Sequence, residues 1–206
     1  MKVYSEMIEH MMDIKSKYTV TFETVVRPVQ FDDGFWPEVF CLVDEKGIPI
    51  IKRSTEDDMK DLYRVMMSHK PLVKGSIHAW NVAVLDDCGD DIRIGLCDDT
   101  FNLNGPLGND THSWAYSTQG KIMHNNVEHP HKAKPIKNGQ SVTVIADLEK
   151  GKVCFDCWDF SGDTESMLQA YSGLNLKGTR FYVAISFGKP GQRVTVTSAF
   201  DHDLFN

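Results

Sequence analysis

Apolar positions change their period along this chain. Tyr4, Met7, Ile8, Met11 and Ile14 recur at three- and four-residue steps, which predicts an amphipathic helix over residues 4–17. From Tyr18 to Val26 the residues turn β-branched and aromatic (Thr19, Val20, Phe22, Val25, Val26), the chemistry of a strand. Val39–Val43 and Ile48–Lys52 flank the charged turn Asp44-Glu45-Lys46-Gly47 and read as a hairpin. Helical period then returns once. Met59, Leu62, Tyr63, Met66 and Met67 form a stripe, Thr55 with Asp58 makes a capping-box pattern, and Glu56, Asp57 and Asp58 place negative charge on the first turn. Pro71 forbids continuation, so a second helix is predicted over residues 55–69.

Beyond Ile77 the period is two almost throughout. His78, Trp80, Val82 and Val84 share one face of a strand, Ile92, Ile94 and Leu96 one face of the next, and His112, Trp114 and Tyr116 alternate with small residues. Val142, Val144 and Ala146 lead into a turn at Leu148–Gly151, after which Val153, Phe155 and Cys157 alternate. Phe181, Val183, Ile185 and Phe187 follow, then Val194 and Val196. Short strands at near-regular spacing predict an all-β sandwich or barrel.

Composition narrows the classes of function. Of the 206 residues 41% are hydrophobic, enough for a real core. A formal net charge of −7 disfavours nucleic acid as a partner, because nonspecific binding draws on Lys and Arg against phosphate. No stretch approaches the roughly 20 apolar residues of a membrane span, and Met1–Tyr18 carries charge where a signal peptide is apolar. Five cysteines, an odd count, fit a reducing interior, and a cytoplasmic location is expected.

Several ordered segments carry a resemblance. They are Gly75-Ser76-Ile77-His78-Ala79-Trp80, Ile92-Arg93-Ile94-Gly95-Leu96-Cys97, Leu107-Gly108-Asn109-Asp110 with His112-Ser113-Trp114-Ala115-Tyr116, Asp147 to Phe155, and Leu176 to Ser186. In that order they resemble the SPRY domain. The look is nearest to the branch of ubiquitin-ligase adaptors, without the adaptor-docking box that follows the domain there. The resemblance implies a two-sheet antiparallel, concanavalin-like β-sandwich over residues 18–206. Two short helices decorate it, one an N-terminal extension (1–17) and one an insertion (55–69). It implies a non-catalytic module that binds a protein or short peptide through loops at one end, with no cofactor. The matching loops are Asp86–Asp91, Asp98–Gly105, His124–Pro135 and Phe187–Gly191. Expected binding residues are Arg27, Pro28, Asp98, Asp99, Phe101, Asn102, Asn104, Phe187 and Gly188, with Phe101 and Phe187 as apolar anchors. A structural subunit of a larger assembly and a carbohydrate-binding sandwich are the alternatives.

Other constellations have bland and sharp readings. Asp86, Asp87, Asp90, Asp91, Asp98 and Asp99, opposed nearby only by Arg93, suit solvated turns, an acidic rim or a calcium site. His124, His129 and His131 read as a polar loop rather than convergent metal ligands. Cys154-X-X-Cys157 puts two thiols on opposite faces of a strand and favours buried cysteines over half a zinc site. Six of the nine methionines lie in the two predicted helices, as core packing or an adaptable groove. No nucleophile elbow, phosphate loop or metalloprotease motif is present, and no catalytic residue is assigned.

Overall fold

The computed structural model describes residues 39–43, 49–57, 62–68, 71–87, 89–103, 105–130, 133–158 and 167–198. The helix predicted over 4–17, the strand over 18–26, the Arg27-Pro28 segment and Asn104 lie outside the described residues.

Within them the chain forms thirteen strands: β1 (Val39–Val43), β2 (Pro49–Arg53), β3 (Arg64–Met67), β4 (Ile77–Asp86), β5 (Ile92–Asp98), β6 (Ser113–Ser117), β7 (Lys121–His124), β8 (Val127–Glu128), β9 (Ser141–Asp147), β10 (Lys152–Trp158), β11 (Met167–Ser172), β12 (Phe181–Phe187) and β13 (Arg193–Ser198). Seven make a sheet in the order β1-β2-β13-β4-β9-β10-β11, and six make a second in the order β3-β12-β5-β6-β7-β8. Every pairing is antiparallel.

The alternation read from the sequence decides which face of each strand is buried between the sheets. Trp80, Val82 and Val84 of β4 and Val142 and Val144 of β9 project from the larger sheet. Ile92, Ile94 and Leu96 of β5, Trp114 and Tyr116 of β6 and Phe181 to Phe187 on alternate positions of β12 project from the smaller one. All join one apolar core, with the Tyr116 and Phe155 rings 5.9 Å apart across it. Trp80 is fully buried. A side chain of that kind removes about 150–250 Å² from water, an upper-bound stabilisation of about 4–6 kcal/mol at ~25 cal/mol per Å². Gly95 is required where β5 passes β6, because a Cβ there would overlap the Trp114 carbonyl. At the β9–β10 turn the Asp147 carboxylate accepts the Glu149 and Lys150 amides at 3.1 and 2.8 Å, and Gly151 takes the positive φ of +65°.

One predicted element is corrected. The helix expected over 55–69 does not form at its C-terminal part, where Arg64–Met67 is strand β3 at the edge of the six-stranded sheet. β12 offers it a free backbone edge, pairing Arg64 with Phe187 and Met67 with Ala184, and Met66 drops into the main core. Asp57, one of the acidic residues meant for a first helical turn, has other work. Asp57 is buried and accepts Arg53 Nε at 2.9 Å and Arg64 Nε at 3.1 Å. Tertiary pairing overrides local periodicity here. Residues 58–61 lie outside the described residues.

Candidate binding surfaces at the two ends of the sandwich

The register of β12 against β5 separates the residues expected to form one site. Phe187 pairs with Ile92 at one end of these strands, and Phe181 pairs with Asp98 at the other. At ~3.3 Å per residue the two ends are roughly 20 Å apart. Phe187, Gly188 and the Asp86–Asp91 loop therefore lie at the end capped by the β12–β13 connection. Asp98, Asp99, Phe101 and Asn102 begin at the opposite end, where the β5–β6 loop leaves the sheet. The expected single loop cluster is two clusters.

At the β12–β13 end, one buried side chain ties the loops together. Gln192 Nε2 donates to the carbonyls of Asp87, Asp90 and Asp91 at 2.8, 3.2 and 3.3 Å, and its Oε1 accepts the Lys189 amide at 2.9 Å. The Gly188 amide donates to Asp91 O at 3.1 Å, and the Gly191 amide to Arg53 O at 3.1 Å. Arg53, itself buried, sends Nη1 to the carbonyls of Leu62 and Phe187 at 2.8 and 3.1 Å. These hydrogen bonds thus hold the described parts of the β2–β3, β4–β5 and β12–β13 connections to one another.

Tyr63 lies on this frame. A Cβ on Gly188 would come within 2.8 Å of the Asp91 carbonyl and 3.4 Å of the Tyr63 ring, so a glycine is needed for the close approach. The Arg93 guanidinium sits 5.4 Å from the Tyr63 ring centroid and is held by Asp91 Oδ2 at 2.8 Å, Leu107 O at 2.9 Å and Asn109 Oδ1 at 2.7 Å. Burial, then the Asp91 charge, pushes the Tyr63 phenol above its ordinary value. Next to this half-buried ring, Leu62 is 46% exposed. Lys189 pairs with Asp90 at 3.3 Å on the rim.

The acidic cluster is largely neutralised, by Arg93 nearby and by three partners distant in sequence. Asp86 meets Arg193 at 3.8 Å, Asp90 meets Lys189, Asp91 meets Arg93, and Asp99 meets Arg180 Nε at 3.0 Å. The rim carries both signs of charge rather than one.

At the opposite end, Asp98 is buried and accepts the Thr100 amide at 2.8 Å, with His112 Nδ1 at 2.9 Å. The hydrogen bond from Arg180 holds the exposed Asp99 carboxyl below its usual range. Phe101 is buried with Cys97, Leu107, Ala115 and Ala184 in a second apolar cluster on the outer face of the six-stranded sheet. Asn102 is exposed. Phe101 and Phe187 are both interior, Phe187 with no exposed surface. Neither ring is placed to anchor a ligand from solvent.

Two histidines of the β7–β9 segment, His124 and His129, are packed as rings. His124 stacks on Trp114 at 4.7 Å with 9° between planes and donates from Nδ1 to Ser113 O at 2.8 Å, and both His124 and His129 meet the Tyr171 ring at 5.3 Å. His131 lies outside the described residues. Among the described residues no three His, Cys, Asp or Glu side chains converge as metal ligands. Cys154 is a buried thiol, pushed up to about 11 by burial.

Tyr63, Gln192 and Arg53 were not legible as site residues. Tyr63 sat on the supposed helical stripe, and a lone glutamine after a glycine carries no pattern of its own.

The family model for the SPRY domain matches residues 77–200, more than half of the chain. Among the solved structures that share the fold are two SPRY-type domains. The SPRY domain of human HERC1 is 17% identical with a TM-score of 0.59, over 81% of this chain and 99% of that one. The TRIM65 PSpry domain is 13% identical with a TM-score of 0.52, over 76% of this chain and 85% of that one. No curated protein matches the chain. With the two stacked antiparallel sheets and the buried Trp80 and Trp114 in place, the chain belongs to the SPRY domain family, a family of protein-interaction modules.

Proposed function

We propose that this chain recognises an extended segment of a partner protein at the β12–β13 end, with Tyr63 and Leu62 as the apolar contact and Lys189, Asp90 and Arg193 as the polar rim. The observation that carries this reading is the Gln192 hydrogen-bond fan, which locks the β4–β5 and β12–β13 loops together before any ligand arrives. A preformed surface loses little conformational freedom on binding, so a short peptide can reach useful affinity from a few buried contacts. Tyrosine is among the residues that most often dominate such contacts, and a mixed-sign rim favours register and partner choice over raw affinity.

The test is selection of displayed random peptides on the immobilised full chain, followed by titration of the selected peptides against variants. Tyr63→Ala is expected to weaken them at least tenfold, about 1.4 kcal/mol or more. Asn102→Ala, at the opposite end, is expected to leave them unchanged. Loss on Asn102→Ala with full binding by Tyr63→Ala would move the site to the β5–β6 loop and refute this one.

A further inference from the structure

The β5–β6 connection is stapled at its two stems and closes over a buried thiol. It leaves the sheet at Asp98 and returns at His112. His112 Nδ1 meets Asp98 Oδ2 at 2.9 Å, where a carboxylate can only accept, so Nδ1 carries a proton. Thr100 Oγ1 donates to Asp98 Oδ1 at 2.6 Å and lies 2.7 Å from the same ring nitrogen. Between the stems the loop lays Phe101 and Leu107 onto the outer face of the six-stranded sheet, against Cys97, Ala115 and Ala184. Cys97 is wholly buried there. The loop body is held independently of the stems by Leu107 N–H to Ser186 Oγ at 3.2 Å and Gly108 N–H to Ser113 Oγ at 2.8 Å.

The staple is open to protons. The His112 side chain is 43% exposed, while its acceptor Asp98 is 10% exposed. Two carboxylates face the ring: Asp98 from the end of β5 and Asp110 from the loop itself, whose Oδ1 accepts the His112 amide at 3.1 Å. The neighbouring Asp99 is paired with Arg180. Both facing charges favour the imidazolium over the neutral ring.

We propose that the Asp98–His112 staple makes the β5–β6 loop a pH-gated lid over Cys97, closed while His112 is cationic and loosened as it loses its proton. The sign follows from the Asp98 hydrogen bond, which chiefly holds His112 above its ordinary value near 6.5. A raised histidine contributes fully below about 6.5 and ceases to contribute as pH rises through its folded value. This lid is independent of the binding reading at the β12–β13 end.

The experiment is amide exchange of the full chain by mass spectrometry from pH 5.5 to 8.5, with rates divided by their intrinsic values. Cys97 alkylation by iodoacetamide is followed alongside, relative to a free-thiol peptide. Protection over residues 99–103 and 105–111 is expected to fall severalfold above pH 6.5, with Cys97 labelling rising in step and β9 amides unmoved. His112→Gln should show the open level at every pH, and so should Asp98→Asn, which serves alone if the first variant misfolds. A flat wild-type profile, a wild-type slope surviving in these variants, or β9 amides that follow the loop would each overturn the proposal.

Discussion

Phe187 shows how one residue changes meaning between sequence and structure. Its place beside Gly188 in a loop-flanking pair suggested an apolar anchor for a ligand. The alternation of β12 instead turns the ring inward, with Phe181 and Ile185, into the main core. Phe187→Ala is therefore expected to cost about 3–5 kcal/mol, the transfer term plus the cavity left in a close-packed interior. Urea denaturation of the variant checks this, and a midpoint within error of wild type would show that the site collapses or is less packed than its burial implies. Period two in the sequence already placed Phe187 on the same face as Val183 and Ile185. Trp80 and Trp114 were read correctly by that rule. Among the described residues no acceptor meets the buried Trp80 indole N–H, a cost of about 1–3 kcal/mol outweighed by the area the ring buries.

Among the elements, strands with strict alternation were legible and the Met-rich segment was not. Residues 64–67 satisfy both periods: Met66 and Met67 extend a helical stripe, while Met66 alternates with Val65 and Met67. Only the partner decides, and β12 supplies one that a sequence pattern does not display. The loops follow the same logic, since their order comes from long-range hydrogen bonds rather than from their own composition. Gln192→Ala withdraws the donor from three carbonyls of the β4–β5 loop. We expect about 1–3 kcal/mol of destabilisation, the cost of buried acceptors left unmet, and faster amide exchange confined to residues 87–91. Exchange unchanged in that loop would mean that the Gly188 amide and the Asn138 side chain hold it without Gln192.

For the whole molecule, the number of sheet crossings governs which loops can meet. The Asp86–Asp91 and Asp98–Gly105 loops flank a single strand, β5, so they leave from opposite ends of it, which was readable from strand order alone; that the β5–β6 loop then reaches back to Arg93 through Leu107 and Asn109 was not. Which distant cations meet each aspartate was not readable, because Lys189, Arg193 and Arg180 come from connections brought close only by folding. Among the described residues two histidines are moved in opposite directions by the surroundings that folding gives them. His78 is buried at the start of β4, with Nε2–H donating to Val73 O at 2.9 Å, and burial lowers its proton affinity against the weaker pull of that carbonyl. Its folded value lies below 6.5, so its contribution is complete above about 6.5 and is lost as pH falls through the folded value. His112 contributes in the opposite window, complete below about 6.5 and lost as pH rises. Between pH 6.5 and 5, above the range where most carboxylates take up protons, His78 therefore contributes a loss of stability as pH falls. In His78→Gln, which keeps a donor for Val73 O without a titrating ring, the urea midpoint should fall less across that interval than in the wild type, while the decline above pH 6.5 persists. An acid slope unchanged in His78→Gln would assign the proton uptake to a different group and leave His78 with a packing role alone.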